Sequence, residues 1–117
     1  MALVRLDLRS QPFEDGRGFG TVGAYEALRG EATFALDPAH PGNQLITDID
    51  LAPRATDGRV HFSADVRILR PLEPARGNRR LLLDVVNRGN PIVVRMTDDG
   101  YAAPGTDPGA GNGWLFE

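Results

Sequence analysis

The residues able to do chemistry are few, and most sit in the wrong surroundings for it. Gly18-Phe19-Gly20-Thr21-Val22-Gly23 spells G-x-G-x-x-G, and Asp37 lies near the offset of a ribose-binding acid. A dinucleotide site, however, needs those glycines directly after a strand and at the start of a helix several turns long. Here Ser10 to Arg17, with Pro12, intervene, and Gly30 stops any helix within about two turns. A glycine loop that reverses the chain between strands is the better account.

His40 and His61 are the only histidines. His40 sits in a Pro-rich turn and His61 on the outward side of a strand, with no helix to bring a carboxylate or second histidine alongside, so both read as surface residues. Asp48/Asp50 and Asp98/Asp99 are close pairs without the ligand spacing of an EF-hand, and read as solvated strand and loop faces. Ser10 and Ser63 lie in a loop and mid-strand, and no G-x-S-x-G elbow accompanies them. The sequence therefore assigns no catalytic nucleophile, no cofactor-binding residue and no metal ligand. What stands out is the polar loop Asn87-Arg88-Gly89-Asn90, which follows an apolar run abruptly. Backbone amides in such loops bind ligands in α/β enzymes.

The elements that would position this loop read mainly as strands. Val4, Leu6 and Leu8 alternate with Arg5, Asp7 and Arg9, the period of a half-buried strand. Ser10 to Gly30 is a glycine-rich loop with one helical turn expected at Ala24 to Leu28. A second strand runs from Glu31 to Leu36, closed by Asp37-Pro38 and Pro41-Gly42-Asn43. Leu45 to Leu51 is apolar with interleaved aspartates and ends at Ala52-Pro53. Asp57-Gly58 is a tight-turn signal leading into the clearest strand. In that strand Val60, Phe62, Ala64, Val66 and Ile68 alternate with His61, Ser63, Asp65, Arg67 and Leu69. Pro71, Pro74 and Gly77-Asn78 break it. Leu81 to Val86 then reads as a strand buried on both faces. Ile92 to Met96 is a short strand or the first turns of something else. Residues 98–113 form a Gly/Pro-rich loop expected to be flexible.

Composition narrows the classes. The 41% hydrophobic and 25% charged fractions are those of an ordinary globular domain. All 13 basic residues are arginine and the net charge is -3, so no basic field awaits nucleic acid or an anionic membrane. No apolar run approaches the ~20 residues of a membrane span, and the first residues lack the pattern of a signal peptide, which makes a cytoplasmic setting the expectation. Without cysteine there is no disulfide and no thiol nucleophile.

Val66-Arg67-Ile68-Leu69-Arg70-Pro71 through Arg80-Leu81-Leu82-Leu83-Asp84-Val85-Val86-Asn87-Arg88-Gly89-Asn90 resembles the entry into the α/β-hydrolase fold of esterases. There, an antiparallel strand ending in an R-x-x-x-P turn precedes a short loop, an apolar strand and the loop that contributes to the oxyanion hole. Gly23-Ala24-Tyr25-Glu26, Asp37-Pro38, Asn43, Ile46, Asp48-Ile49, Ala52-Pro53 and Val86-Asn87-Arg88-Gly89 look like the N-terminal part of a bacterial alpha/beta-hydrolase-domain family. The resemblance spans nearly the whole chain.

It implies an α/β protein of which this chain is the predominantly β part. That part would be a single incomplete domain over residues 1–117, made of mostly antiparallel strands with few short helices. The esterase loop reads His-Gly-Gly-Gly, and Asn87-Arg88-Gly89-Asn90 stands in its place. Backbone N–H groups near Gly89 and the Asn87 amide would then face an oxyanion. The alternative is that Asn87-Arg88-Gly89 simply turns the chain, with Arg88 paired to a buried carboxylate. The nucleophile, acid and histidine of the family would lie beyond residue 117, so the chain is expected to be an amino-terminal fragment, inert alone, that meets an ester-like small molecule only within a complete protein. Trp114-Leu115-Phe116 is read as a helix start cut off before it can bury its side chains.

The rival is a self-contained β-rich binding or assembly module without enzymatic activity. It requires burial of Leu81 to Val86 and Trp114. A fragment would expose them and tend to self-associate through unpaired edges.

Overall fold

The computed structural model describes residues 2–86, 92–98, 109–111 and 115–116. The chain is predominantly β, with four antiparallel strands and no long helix among the described residues. The strands are β1 (Ala2–Pro12), β2 (Gly18–Phe19), β3 (Gly23–Leu36) and β4 (Val60–Pro71). Single 3-10 turns sit at Phe13–Gly16, Pro41–Asn43, Ile49–Leu51 and Pro74–Arg76, and one short helix, α1, spans Val93–Asp98. β3 is the hub, since β1, β2 and β4 each pair with it.

β2 and β3 form a tight antiparallel hairpin, Gly18 opposite Ala24 and Phe19 opposite Gly23. The reversal needs positive φ at Gly20 (42°) and Gly23 (93°), which a side chain would resist. The G-x-G-x-x-G letters thus build a strand-to-strand turn. β3 and β4 are tied by the Leu72 N–H donating to the Ala24 carbonyl at 2.8 Å, by the Arg70–Glu26 pair and by Phe34 stacked on Phe62. Each step up β3 matches one step down β4, an antiparallel register that sets Ala27 opposite Leu69.

Several expectations are corrected. Ala24 to Leu28 is strand, not a helical turn: its carbonyls and side chains are taken by β2 and β4 before a helix can close. Leu45 to Leu51 lies in turns, with Ile49 alone of its large side chains buried and Leu45 and Leu51 exposed. Leu81 to Val86 forms no strand, because no described neighbour offers it a ladder. Leu69 was expected on the polar side of β4. It packs against buried Phe13, Phe19, Ala27, Val94 and Phe116, whereas Phe62 and Ile68 on the apolar side remain 39% and 36% exposed.

The chain divides into two compact units. One comprises Met1–Ser10 and Leu28–Ile68, and its buried side chains include Ala32, Ala35, Leu36 and Ile49. Asn43, buried there, donates its amide to the Asp37 carbonyl at 2.8 Å, and so closes the turn that ends β3. The other comprises Gln11–Ala27 and Leu69–Glu117. Its centre is aromatic: the Phe116 ring lies 5.2 Å from those of Phe13 and Phe19 and 5.3 Å from that of Tyr25. Phe116 was expected to be left unburied. It is 3% exposed, because these three rings form a pocket that a single turn at Leu115 and Phe116 reaches without a helix.

Candidate functional site

Asn87, Arg88, Gly89 and Asn90, the expected oxyanion loop, lie outside the described residues, as do Trp114 and most of the 98–113 loop. What leads into and out of the loop is described. Leu81 to Val86 approaches it as irregular chain, with Leu81 91%, Leu83 77% and Val85 83% exposed. α1 leaves it, with Val94 buried and Met96 exposed. Between them one bond matters: the Asp84 carboxylate accepts the Val93 backbone N–H at 3.3 Å. An N–H in the first turn of a helix has no carbonyl partner within the helix, so a carboxylate there satisfies it and meets the positive end of the peptide dipoles. The result is a short bridge across residues 85–92, with the candidate loop inside it.

The segment before Leu81 is anchored by Arg76. Its guanidinium donates to the Thr21 carbonyl at 2.5 Å and lies over Gly23, where a Cβ would stand 3.2 Å from Nη1. Arg70 Nε donates to Glu26 Oε1 at 2.7 Å, and the Glu26 side chain is largely shielded, which makes this a firmer pair than an exposed one. The Glu14 carboxylate accepts the Ala110 N–H at 3.1 Å. Glu14 and Asp15 both hold positive φ, 47° and 53°, ahead of Gly16 at 83°. Three successive left-handed residues are costly for L side chains, and this turn aims Glu14 at Ala110.

The remaining candidates form separate pairs. His40 is a turn residue whose Nδ1 accepts the Gly42 N–H at 3.1 Å. His61 is not alone, contrary to expectation. The turn at Asp57-Gly58 folds Asp57 back so that its carboxylate lies 2.9 Å from His61 Nε2. That contact, and after it the Arg59 N–H, pulls the Asp57 carboxyl below its ordinary pKa. The two are four residues apart, but no helix joins them; the turn at Asp57-Gly58 makes the contact. Both side chains are well exposed. Ser63 donates its hydroxyl to Glu31 at 3.0 Å, so the serine and the histidine of β4 are engaged by different carboxylates. Asp50 of the Asp48/Asp50 pair meets Arg54 at 3.4 Å on the surface, while Asp99 and the side chain of Asp98 lie outside the described residues. Among the described residues no group of three or more His, Asp or Glu side chains is placed to hold a metal ion, and no helix is long and apolar enough to cross a membrane.

The arrangement therefore offers an apolar run without a sheet, a loop whose flanks are tied by Asp84, one exposed histidine–carboxylate pair and one exposed hydroxyl–carboxylate pair. Comparison with known proteins finds no matching family model, no matching curated protein and no matching solved structure.

Proposed function

We propose that the chain is the sheet-forming N-terminal part of an esterase-type serine hydrolase with an α/β fold. On this reading β1, β3 and β4 are the antiparallel edge, Leu81 to Val86 is the first central strand, and Asn87 to Asn90 supplies backbone donors to an oxyanion. The nucleophile, acid and histidine come from outside residues 1–117, the substrate is a small ester-like molecule, and the setting is cytoplasmic.

The observation that carries the reading is the exposure of Leu81, Leu82, Leu83, Val85 and Val86. Burying five such side chains is worth on the order of 10 kcal/mol, comparable with the whole net stability of a typical domain. A run of this kind left in water is suited to strands and helices that cover both its faces. The order of elements agrees: an antiparallel strand, a proline turn at Pro74–Arg76, the apolar run, the loop, then α1. The self-contained module predicts these side chains buried, and they are not.

Two measurements on the 117-residue chain test the reading. No turnover of p-nitrophenyl esters is expected, and the backbone amide signals of Asn87 to Gly89 are expected to shift on titration with millimolar methylphosphonate, a tetrahedral oxyanion. Ester hydrolysis abolished by a serine-directed fluorophosphonate would overturn it, because the chain would then hold its own nucleophile. Unmoved amide signals would remove the oxyanion role.

A further inference from the structure

β1 ends the sheet: among the described residues it pairs only with β3, and no described strand lies along its other edge over Leu3 to Arg9. It is also unusually bare. Leu3, Val4 and Leu6 are 54%, 58% and 46% exposed, and Leu8 alone in the strand is partly covered. Protected edges carry proline, bulges or charged side chains, lysine above all; β1 carries Arg5, Asp7 and Arg9. It carries no lysine, and its proline, Pro12, is its last residue.

Its charges alternate in sign: Arg5 Nε lies 2.6 Å from Asp7 Oδ2 on one face, opposite the row of Val4, Leu6 and Leu8. We infer that β1 pairs antiparallel with β1 of a second copy of this chain, about a two-fold axis through Leu6. That register sets Arg5 of each chain opposite Asp7 of the other, Val4 opposite Leu8, and Leu6 opposite Leu6. The four charges then form a ring of alternating sign, and the apolar rows merge. Moving the axis to Asp7 sets Asp7 against Asp7 and Arg5 against Arg9; moving it to Arg5 sets Arg5 against Arg5. Like charges directly opposite destabilise a strand pair, so the sequence selects the Leu6 axis. The pairing is independent of any hydrolase activity.

Sedimentation of the full chain is expected to show a dimer that dissociates on dilution. Arg5→Asp and Asp7→Arg should each weaken it by about tenfold or more, while an equimolar mixture of the two regains a dimer, since each chain then offers the charge the other needs. Because the chain has no cysteine, Leu6→Cys provides a register test. Directly opposed residues have Cα atoms about 5 Å apart, within disulfide reach, so Leu6→Cys should cross-link under oxidation while Leu3→Cys, facing Arg9, does not. Circular dichroism establishes that each variant keeps its strands. A folded chain that stays monomeric, a dimer indifferent to both reversals, or one that fails to cross-link at Leu6 would each overturn the proposal.

Discussion

The carboxylate of Asp84 holds the backbone N–H of Val93 at 3.3 Å, and so fastens the apolar run to the first turn of α1 across the candidate loop. A six-residue helix is far too short to persist by itself in water, so its start depends on this bond and on the burial of Val94. Asp84→Ala is expected to lose about 1 kcal/mol of local stability and to release the start of α1. Amide exchange at Val93 to Thr97 should accelerate while that of β3 is unchanged. Asp84→Asn, which keeps an acceptor oxygen, should retain part of the effect.

β1 and β3 approach most closely at Gly30, where a Cβ would overlap the Asp7 carbonyl oxygen and come within 3.1 Å of the Leu8 Cα. Both obstacles are backbone and cannot rotate away. Gly30→Ala is therefore expected to cost at least about 2 kcal/mol, read as a lower urea midpoint. Gly58→Ala makes the comparison, because a Cβ there meets nothing within 4 Å and only the positive φ of 76° resists it. Its cost should be about 1 kcal/mol.

Phe116 is the keystone of the aromatic cluster, with three rings around it. Phe116→Ala should destabilise the Gln11–Ala27 and Leu69–Glu117 unit by roughly 3 to 5 kcal/mol, and Phe116→Leu by less. Near-UV circular dichroism, which reports packed aromatic rings, should lose intensity in step with the drop in denaturation midpoint.

Two groups give the stability a pH dependence at opposite ends. Burial raises the Tyr25 phenol above its ordinary pKa, and its hydroxyl donates to the Phe116 carbonyl at 3.4 Å. A raised pKa means that the folded state holds the proton more tightly, so this contribution is full below the unfolded phenol's pKa and declines as pH rises through the folded value. Tyr25→Phe should flatten the alkaline loss and change little at neutral pH. Asp57 is the reverse case, with a lowered pKa. Its contribution is present above the unfolded carboxyl's pKa and is lost as pH falls through the folded one. The stability difference between wild type and Asp57→Asn should thus be largest near neutrality and vanish in acid.

What the sequence made legible was alternation. β1 and β4 are marked by strict two-residue periods, and Asp57-Gly58 is a turn with positive φ at Gly58 as expected. The first half of β3 was hidden, because Tyr25-Glu26-Ala27-Leu28 carries good helix formers and only the partners Gly18, Arg70 and Leu72 pull it into the sheet. Leu69 was misplaced for a related reason: the face that is polar near His61 is the face that meets Phe19 and Phe116 farther along. Of the candidate site, the apolar run and the loop are visible as letters, but the Asp84–Val93 bond depends on how turns bring residues together, and the Asp57–His61 contact, though four residues apart, is made by a turn and not by the helix that such spacing suggests.

On the proposed reading, Leu81 to Val86 is a sheet strand presented without its neighbours. Amide hydrogen exchange on the 117-residue chain, resolved by residue, tests it directly. Leu81 to Val86 are expected to exchange at rates close to those of an unstructured peptide, while the interior of β3 is protected by several orders of magnitude. Protection of Leu81 to Val86 equal to that of β3 would contradict it, and would mean that the run is already paired within a self-sufficient fold.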